Sequence, residues 1–439
     1  MSFFGPISPP VLNEASAPTI RLALNRARVV GSFAVIQGIV QIVGFLSGIL
    51  LIRYLDRREY AYFTIANTMQ GTLNTLADIG ISVGLVSIGG RVWQDRNRFG
   101  QLIKTAGNLR RRLAAIAVLL VTPILFFMLR KNGAPLPYTL VLISLVLAGL
   151  MVQLALGVLG VIPRLLSDVR RIQTIDLTGA VARLVVLLVL MFVFLNSAVA
   201  VAVGSATLFL QYWMLRRYAV RVVDFDAPEN EEDRTAMQRF IRNLAANAVF
   251  FCFQGQITIF LISFFGRDIN SVAEVGALGR LAMVFTVLTN LLTNVFGPAF
   301  ARCQDAGRLR WQYAVIVGGV TAFSATLIAA ALFFPSAFLF VLGGKYAHLE
   351  HELLLMVAGA VVGALTGTFW TLNASKAWIA GSWLYIPLTV AAQVALIPVT
   401  DFSSVRSVLM FNLLSALPNL MLNVALSYRG FASLRVKEA

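Results

Sequence analysis

Long apolar runs separated by short polar joints dominate this chain. Runs near 29–52, 60–82, 113–129, 138–162, 174–195 and 197–215 are followed by a second set near 241–266, 275–300, 312–334, 352–373, 382–400 and 405–427. As a helix, each is long enough to cross roughly 30 Å of hydrocarbon. The pattern predicts an all-α polytopic membrane protein of about twelve transmembrane helices in two six-helix lobes. Composition agrees: 58% of the 439 residues are hydrophobic and 13% are charged, where soluble domains carry about a quarter charged residues. The first run begins after Arg21, Arg26 and Arg28 and has no short apolar core followed by an Ala-x-Ala-like site. It is expected to stay as an uncleaved first span, with no secreted domain after it.

Charge sets the orientation. Lysines and arginines gather in alternate joints, among them the one holding Arg91, Arg96, Arg98 and Lys104 and the one holding Arg164, Arg170 and Arg171. The positive-inside rule then puts these joints and both termini in the cytoplasm. The same bias accounts for a net charge of +16, so nucleic acid is not expected as a partner.

The most polar joint, RRYAVRVVDFDAPENEEDRTAMQRF (216–240), divides the runs into two sets of six. The expected organisation is a cytoplasmic N-terminal segment (1–28), an N-lobe (29–215), a cytoplasmic linker (216–240), a C-lobe (241–428) and a cytoplasmic tail (429–439). The acidic stretch from Asp224 to Asp233 is expected to be solvated and flexible. A weak echo relates the halves. Gln37-Gly38, Arg53 and Glu59 in the first answer to Gln254-Gly255, Arg267 and Glu274 in the second. Duplicated halves are a recurring transporter architecture, with the site at their interface.

Polar residues inside the apolar runs are the candidates for function. An ionised side chain at bilayer depth costs about 2.5–3.5 kcal/mol on insertion scales, so it faces a partner, a cavity or the interface. Asp78, in LADIGISVGL, stands where Gly80, Gly84, Gly89 and Gly90 weaken the second helix and let it bend. Asn67, Asn74 and Asp78 share a helical face. They form either a polar stripe on a water-filled vestibule or a packing and interface feature. Arg183 and Arg280 lie too deep for comfortable snorkelling and are candidate substrate-binding cations or structural donors to carbonyls. Asp176 shares a face with Arg183 but sits roughly 10 Å along the axis, too far for a direct pair. Amides recur at helical spacing: Gln37 and Gln41, Asn247 and Gln254, Asn290 and Asn294, Asn419 and Asn423. They can line a cavity or simply join helices. A lining of amides and arginines favours a polar or anionic ligand over an organic cation.

Chemistry is harder to find than transport. The sequence has no Walker loop, no G-x-S-x-G and no His-Glu-x-x-His. His348 and His351, in KYAHLEHE, are not expected to hold a metal, and Cys252 and Cys303 are not expected to form a disulfide. Neither an enzyme activity nor a cofactor is expected.

ILLIRYLDRREYAYFTIANT, LADIGISVGL and VLGGKYAHLEHELLLMVAG together resemble the polysaccharide transporter, or O-antigen flippase, family of the multidrug/oligosaccharidyl-lipid/polysaccharide exporter superfamily. Glu59, Tyr60, Tyr62, Asp78, Gly80, Gly343 and Tyr346 fit its motifs. The second half departs from the first with Ala277 where Tyr62 stands, and helix 5 has one deep arginine rather than a cluster. The resemblance implies two six-helix lobes around a basic central cavity. It also implies flipping of a polyprenyl-pyrophosphate-linked glycan across the bacterial inner membrane by alternating access. On that expectation Arg183, Arg280 and Arg28 attract the pyrophosphate, while Gln37, Gln41, Asn74, Asn247, Gln254, Asn290 and Asn294 contact the sugars. Asp78 anchors or gates the inner mouth by bonding a loop arginine such as Arg91, and Asp176 has a gating or structural part. The expected partners are the lipid-linked glycan, membrane lipids and polysaccharide polymerase or export machinery. The alternative is a cation-coupled drug or metabolite antiporter on the same scaffold. That reading needs an essential buried carboxylate, for which Asp176 and Asp78 are the candidates.

Overall fold

The computed structural model describes residues 19–438 apart from 167, 267, 283, 284, 286, 287, 290, 291, 293–295 and 304. Its first half comprises α1 (Thr19–Tyr54), α2 (Arg57–Asp78), α3 (Ile81–Val92), α4 (Arg96–Lys131), α5 (Leu136–Leu159), the short α6 (Val161–Leu165), α7 (Val169–Met191) and α8 (Ser197–Ala219). The second comprises α9 (Glu231–Phe265), α10 (Asn270–Leu281), the short α11 (Gly297–Arg302), α12 (Ala306–Phe333), α13 (Pro335–Leu342), α14 (Glu350–Ser375), α15 (Tyr385–Leu396) and α16 (Val405–Glu438). The described residues form helices and no strands. Among the described residues, ten helices are long and apolar enough to span a membrane, or eleven if α2 and α3, bent by 45° at their junction, count as one. The remaining expected span, 275–300, falls partly outside the described residues. This is a multi-pass helical membrane protein. Its bundle exposes large apolar side chains such as Leu119, Phe192 and Phe340, as lipid contact requires.

Gly80 makes the bend. Its φ of 71° is left-handed, and a Cβ there would meet the Phe240 carbonyl oxygen of α9 at 2.9 Å. Both conditions favour glycine.

Several helices extend well beyond their apolar runs. α4 begins at Arg96, where Asp95 caps it by accepting from the Asn97 and Arg98 backbone N–H groups at 2.9 and 3.1 Å. α9 begins at Glu231, capped by Asn230 through the N–H groups of Glu232 and Asp233. Such caps satisfy N–H groups that a helix start leaves unpaired. The joint between the halves therefore shrinks to 220–230, against the expected 216–240.

That joint is a docked strap, which corrects the expectation of a flexible acidic linker. The Asn230 N–H donates to Thr105 Oγ1 at 3.0 Å, and Asn97 Nδ2 donates to Asp224 Oδ2 at 3.1 Å. Asp233 receives both terminal nitrogens of Arg98. Val223 and Met237 pack with Leu102 and Ile103 in one apolar cluster. Gly100 permits the approach, since a Cβ there would lie 2.0 Å from the Asp224 carbonyl oxygen. Asp224 and Asp233 are held because the first turn of α4 presents Asn97 and Arg98 to them.

The opposite end of the bundle carries a reciprocal latch. Arg53, at the end of α1, donates to the carbonyls of Val341 and Phe340 at 3.1 and 2.6 Å. Lys345 donates in return to the carbonyls of Arg53 and Leu55 at 3.0 and 2.8 Å, and Arg57 donates to the Lys345 carbonyl. Each cation thus satisfies carbonyls left open at the end of the other half's helix. Gly343, at φ 102°, lies against the Arg53 stem.

The two acids of the sequence echo occupy matching places. Glu59 accepts from Tyr138 at the start of α5 at 2.6 Å. Glu274 meets His348, just before α14, at 2.9 Å.

The Arg98–Asp233 pair is asymmetric, because the Asp233 side chain is 4% exposed and that of Arg98 is 28% exposed. Arg98→Ala strands a buried carboxylate, whereas Asp233→Asn leaves an arginine that can turn to solvent. Thermal unfolding of the detergent-purified protein is expected to show Arg98→Ala destabilising by about 1–3 kcal/mol and Asp233→Asn by less. The reverse order would argue against the strap.

Candidate functional site

The N-lobe encloses a cavity of about 450 Å³ between α1, α2, α5, α7 and α8. Its polar lining includes Gln41, Asn67, Gln70, Gln153, Asp176 and Arg183. A second space of about 260 Å³ runs towards the end of the bundle that bears the strap, lined by Asn74, Arg110 and Arg164 among others. Gln153, Asp176, Leu208 and Gln211 line both, so the two are contiguous.

Glycines on facing helices make room for these polar groups. A Cβ at Gly157 would lie 1.7 Å from Arg110 Nη1, one at Gly179 would lie 2.2 Å from Gln211 Nε2, and one at Gly149 would lie 2.6 Å from Gln70 Nε2. Small residues thus admit long side chains between closely packed helices.

Arg183 lies about 21 Å along α7 from its start and reaches the larger cavity. Its Nε is buried without a hydrogen-bond partner among the described residues, as is Gln153 Oε1 in the same cavity. Among the described residues no acid lies within ion-pair distance of Arg183. Arg280 comes from the other half, on α10. Its stem passes over Gly48 of α1 and its guanidinium carbon stands 6.0 Å from the ring centre of Phe63, a residue of the cavity wall. It lies near the Tyr60 hydroxyl, and near enough to Arg183 for their like charges to oppose each other. Asp176 lines the cavity without pairing with Arg183, and Arg164 supplies an attractive charge to it.

Asp78 does not bond Arg91, which lies exposed on α3. Its partner is Arg110, with Nη1 and Oδ1 3.3 Å apart, and Ser82 also donates to it at 2.8 Å. Arg110 in turn donates to Asn74 Oδ1 at 3.0 Å. Arg110 precedes the apolar run near 113–129, in what hydropathy alone marks as a joint, yet it lies within α4. A signal was present in Arg110-Arg111-Arg112. Three successive side chains on a helix point about 100° apart, so one must turn from solvent, and Arg110 is 3% exposed.

The other expected contacts divide. Gln41 lines the N-lobe cavity and Asn74 the adjoining one, whereas Gln37 lines neither. Asn247 lines a separate cavity in the C-lobe. Gln254 accepts from Gln393 of α15 at 2.7 Å and is committed to joining helices. Asn290 and Asn294 lie outside the described residues, as does the Arg28 side chain. Gln70, Gln153, Arg164 and Gln211 belong to the N-lobe lining and had not been singled out. Among the described residues no group of His, Cys, Asp and Glu is arranged to hold a metal.

This architecture recurs in known transporters. An inward-facing multidrug resistance transporter of the MATE family, in the MOP superfamily, matches with a TM-score of 0.67 at 13% identity, covering 92% of this chain and 100% of that one. The lipid II flippase MurJ, in an inward closed conformation, matches with 0.62 at 10% identity over 92% and 91% of the two chains. An outward-facing MATE transporter gives 0.58 at 14% identity over 92% and 96%. No family model matches the chain, and no curated protein matches it significantly. The fold is therefore that of MOP-superfamily transporters.

The Asp78 side chain is 31% exposed while that of Arg110 is 3% exposed. Asp78→Leu leaves a buried guanidinium without its counter-charge and is expected to cost about 3 kcal/mol or more. Arg110→Leu leaves a carboxylate that water can reach and should cost less. Denaturation of both variants in the same detergent checks the order; equal losses would exclude this pairing.

Proposed function

We propose that this protein carries an anionic lipid-linked headgroup, specifically a polyprenyl-pyrophosphate-linked glycan, across the bacterial inner membrane by alternating access. The observation that carries the reading is the pair Arg183 and Arg280. Two guanidinium groups stand at membrane depth, one with a buried, unpartnered nitrogen in a cavity, and neither forms an ion pair among the described residues. Like charges held in a low-dielectric interior repel strongly. A bound pyrophosphate offsets that repulsion and supplies acceptors for both. Gln41, Asn67 and Gln153 surround the same space with neutral donors and acceptors. The lipid tail stays in the bilayer while the headgroup passes between the lobes. That one structural neighbour is named a lipid II flippase supports the reading. Polysaccharide polymerase or export machinery is the expected downstream partner.

A second reading rests on Asp176, a carboxylate within the same cavity that Arg183 does not neutralise. It fits a cation-coupled antiporter, and MATE transporters are among the structural neighbours.

Cells lacking this protein distinguish the two. The flippase reading predicts that lipid-linked glycan builds up on the cytoplasmic leaflet. Wild type should relieve this, while Arg183→Ala and Arg280→Ala should each lose about tenfold or more of the rate, as expected for a charge-assisted bond. Absence of build-up, together with drug or metabolite efflux that Asp176→Asn abolishes, would select the antiporter.

A further inference from the structure

The C-lobe holds a cavity of about 430 Å³ between α9, α14, the turn before α15, and α16. It shares no residue with the N-lobe spaces, and its chemistry is different: no charged side chain lines it. Phe251 and Tyr385 stack with ring centres 5.0 Å apart and planes 19° from parallel, and Trp370 adds a third ring to the wall. Asn247, Asn419 and Asn423 supply amides.

Two polar atoms in this wall have no partner among the described residues. Tyr385 is 8% exposed and its hydroxyl bonds to nothing; Asn423 is 3% exposed and its Oδ1 is likewise unpaired. The other end of the Asn423 amide is fixed, since Nδ2 donates to both oxygens of Asn419 at 2.9 Å. The Asn423 backbone carbonyl accepts from Asn373 Nδ2 at 2.9 Å. Asn423 is therefore held with its acceptor oxygen unpartnered, and Tyr385 in the same wall carries a hydroxyl that can donate or accept. Buried polar groups in native proteins find partners, so these two call for a ligand with its own hydroxyl groups or for water.

We propose that this cavity is a binding site for an uncharged sugar ring. Aromatic faces pack against the C–H faces of a pyranose, while its edge hydroxyls meet Asn423 Oδ1 and the Tyr385 hydroxyl. An apolar ligand of the same size would fill the space and leave both atoms unsatisfied, which disfavours it. Coupled to the flippase reading, on which its role in transport rests, the site divides the headgroup's chemistry between lobes. Arginines of the N-lobe cavity and its rim take the pyrophosphate, and the C-lobe takes a neutral sugar of the glycan.

The test uses the full-length purified protein in detergent, titrated with the methyl glycosides of glucose, galactose and N-acetylglucosamine and with methoxycyclohexane as the hydroxyl-poor control. Intrinsic tryptophan fluorescence is the readout, because Trp370 lies in the wall. At least one glycoside should give a saturable change and methoxycyclohexane none. Tyr385→Phe, which removes one oxygen and preserves the ring, should weaken glycoside binding about tenfold. The proposal is overturned if no glycoside saturates, if methoxycyclohexane binds equally well, or if Tyr385→Phe binds as wild type does. Failure of the flippase reading is seen separately. Glycoside binding in a protein whose loss causes no glycan build-up removes only the transport role, and build-up without glycoside binding removes only the sugar site.

Discussion

A charge inside a membrane-spanning bundle must meet a counter-charge, a dipole, water or a ligand. That constraint sorts the arginines of this protein. Arg110 meets Asp78 and Asn74, and Arg98 meets Asp233. Arg53 meets the carbonyls at the end of α13. Arg183 meets no acid among the described residues and opens on a cavity, with Arg280 repelling it from the other half. The first three are paired within the fold; Arg183 keeps a cost that no acid among the described residues cancels. A transporter of anions has a use for such a cost, because the arriving ligand lowers it and the departing ligand restores it.

At each end, polar bonds between the halves stand beside a shared apolar core. The strap brings 220–230 and the start of α9 onto α4, and the latch exchanges carbonyls between α1 and the segment after α13. On the proposed alternating access, rocking of the lobes would break one set while keeping the other. Bonds from cations to helix-end carbonyls suit that use, since water can replace either partner when the ends separate. Part of the motifs that carried the family resemblance falls here. Arg53, Gly343 and Tyr346 are distant in sequence and gather with Tyr60 around one junction. Their spacing reflects the latch more than the ligand.

The helical class was legible because lipid demands long apolar runs, and eleven of the expected spans are found with α2 and α3 taken together. What lies beyond the lipid was not legible in the same way. The first turns of α4 are polar and amphipathic, so a hydropathy reading started that helix too late and placed Arg110 in solvent. The strap looked flexible because its acids are matched by residues more than a hundred positions earlier. The signs that remained were the caps Asp95 and Asn230 and the small residue Gly100. Amides were the least informative residues. Gln41 lines the cavity and Gln254 binds Gln393, yet both are helical glutamines in apolar surroundings. Which role each has depends on what the neighbouring helix presents.

The central claim is that the charge on Arg183 and Arg280 is there for an anion. The most direct measurement is native mass spectrometry of the purified protein with a polyprenyl pyrophosphate and the polyprenol of equal chain length. The pyrophosphate lipid should be retained about tenfold or more over the alcohol, and Arg183→Gln should remove the difference. Equal retention of the two lipids by the wild-type protein would contradict the claim and leave both arginines as structural groups.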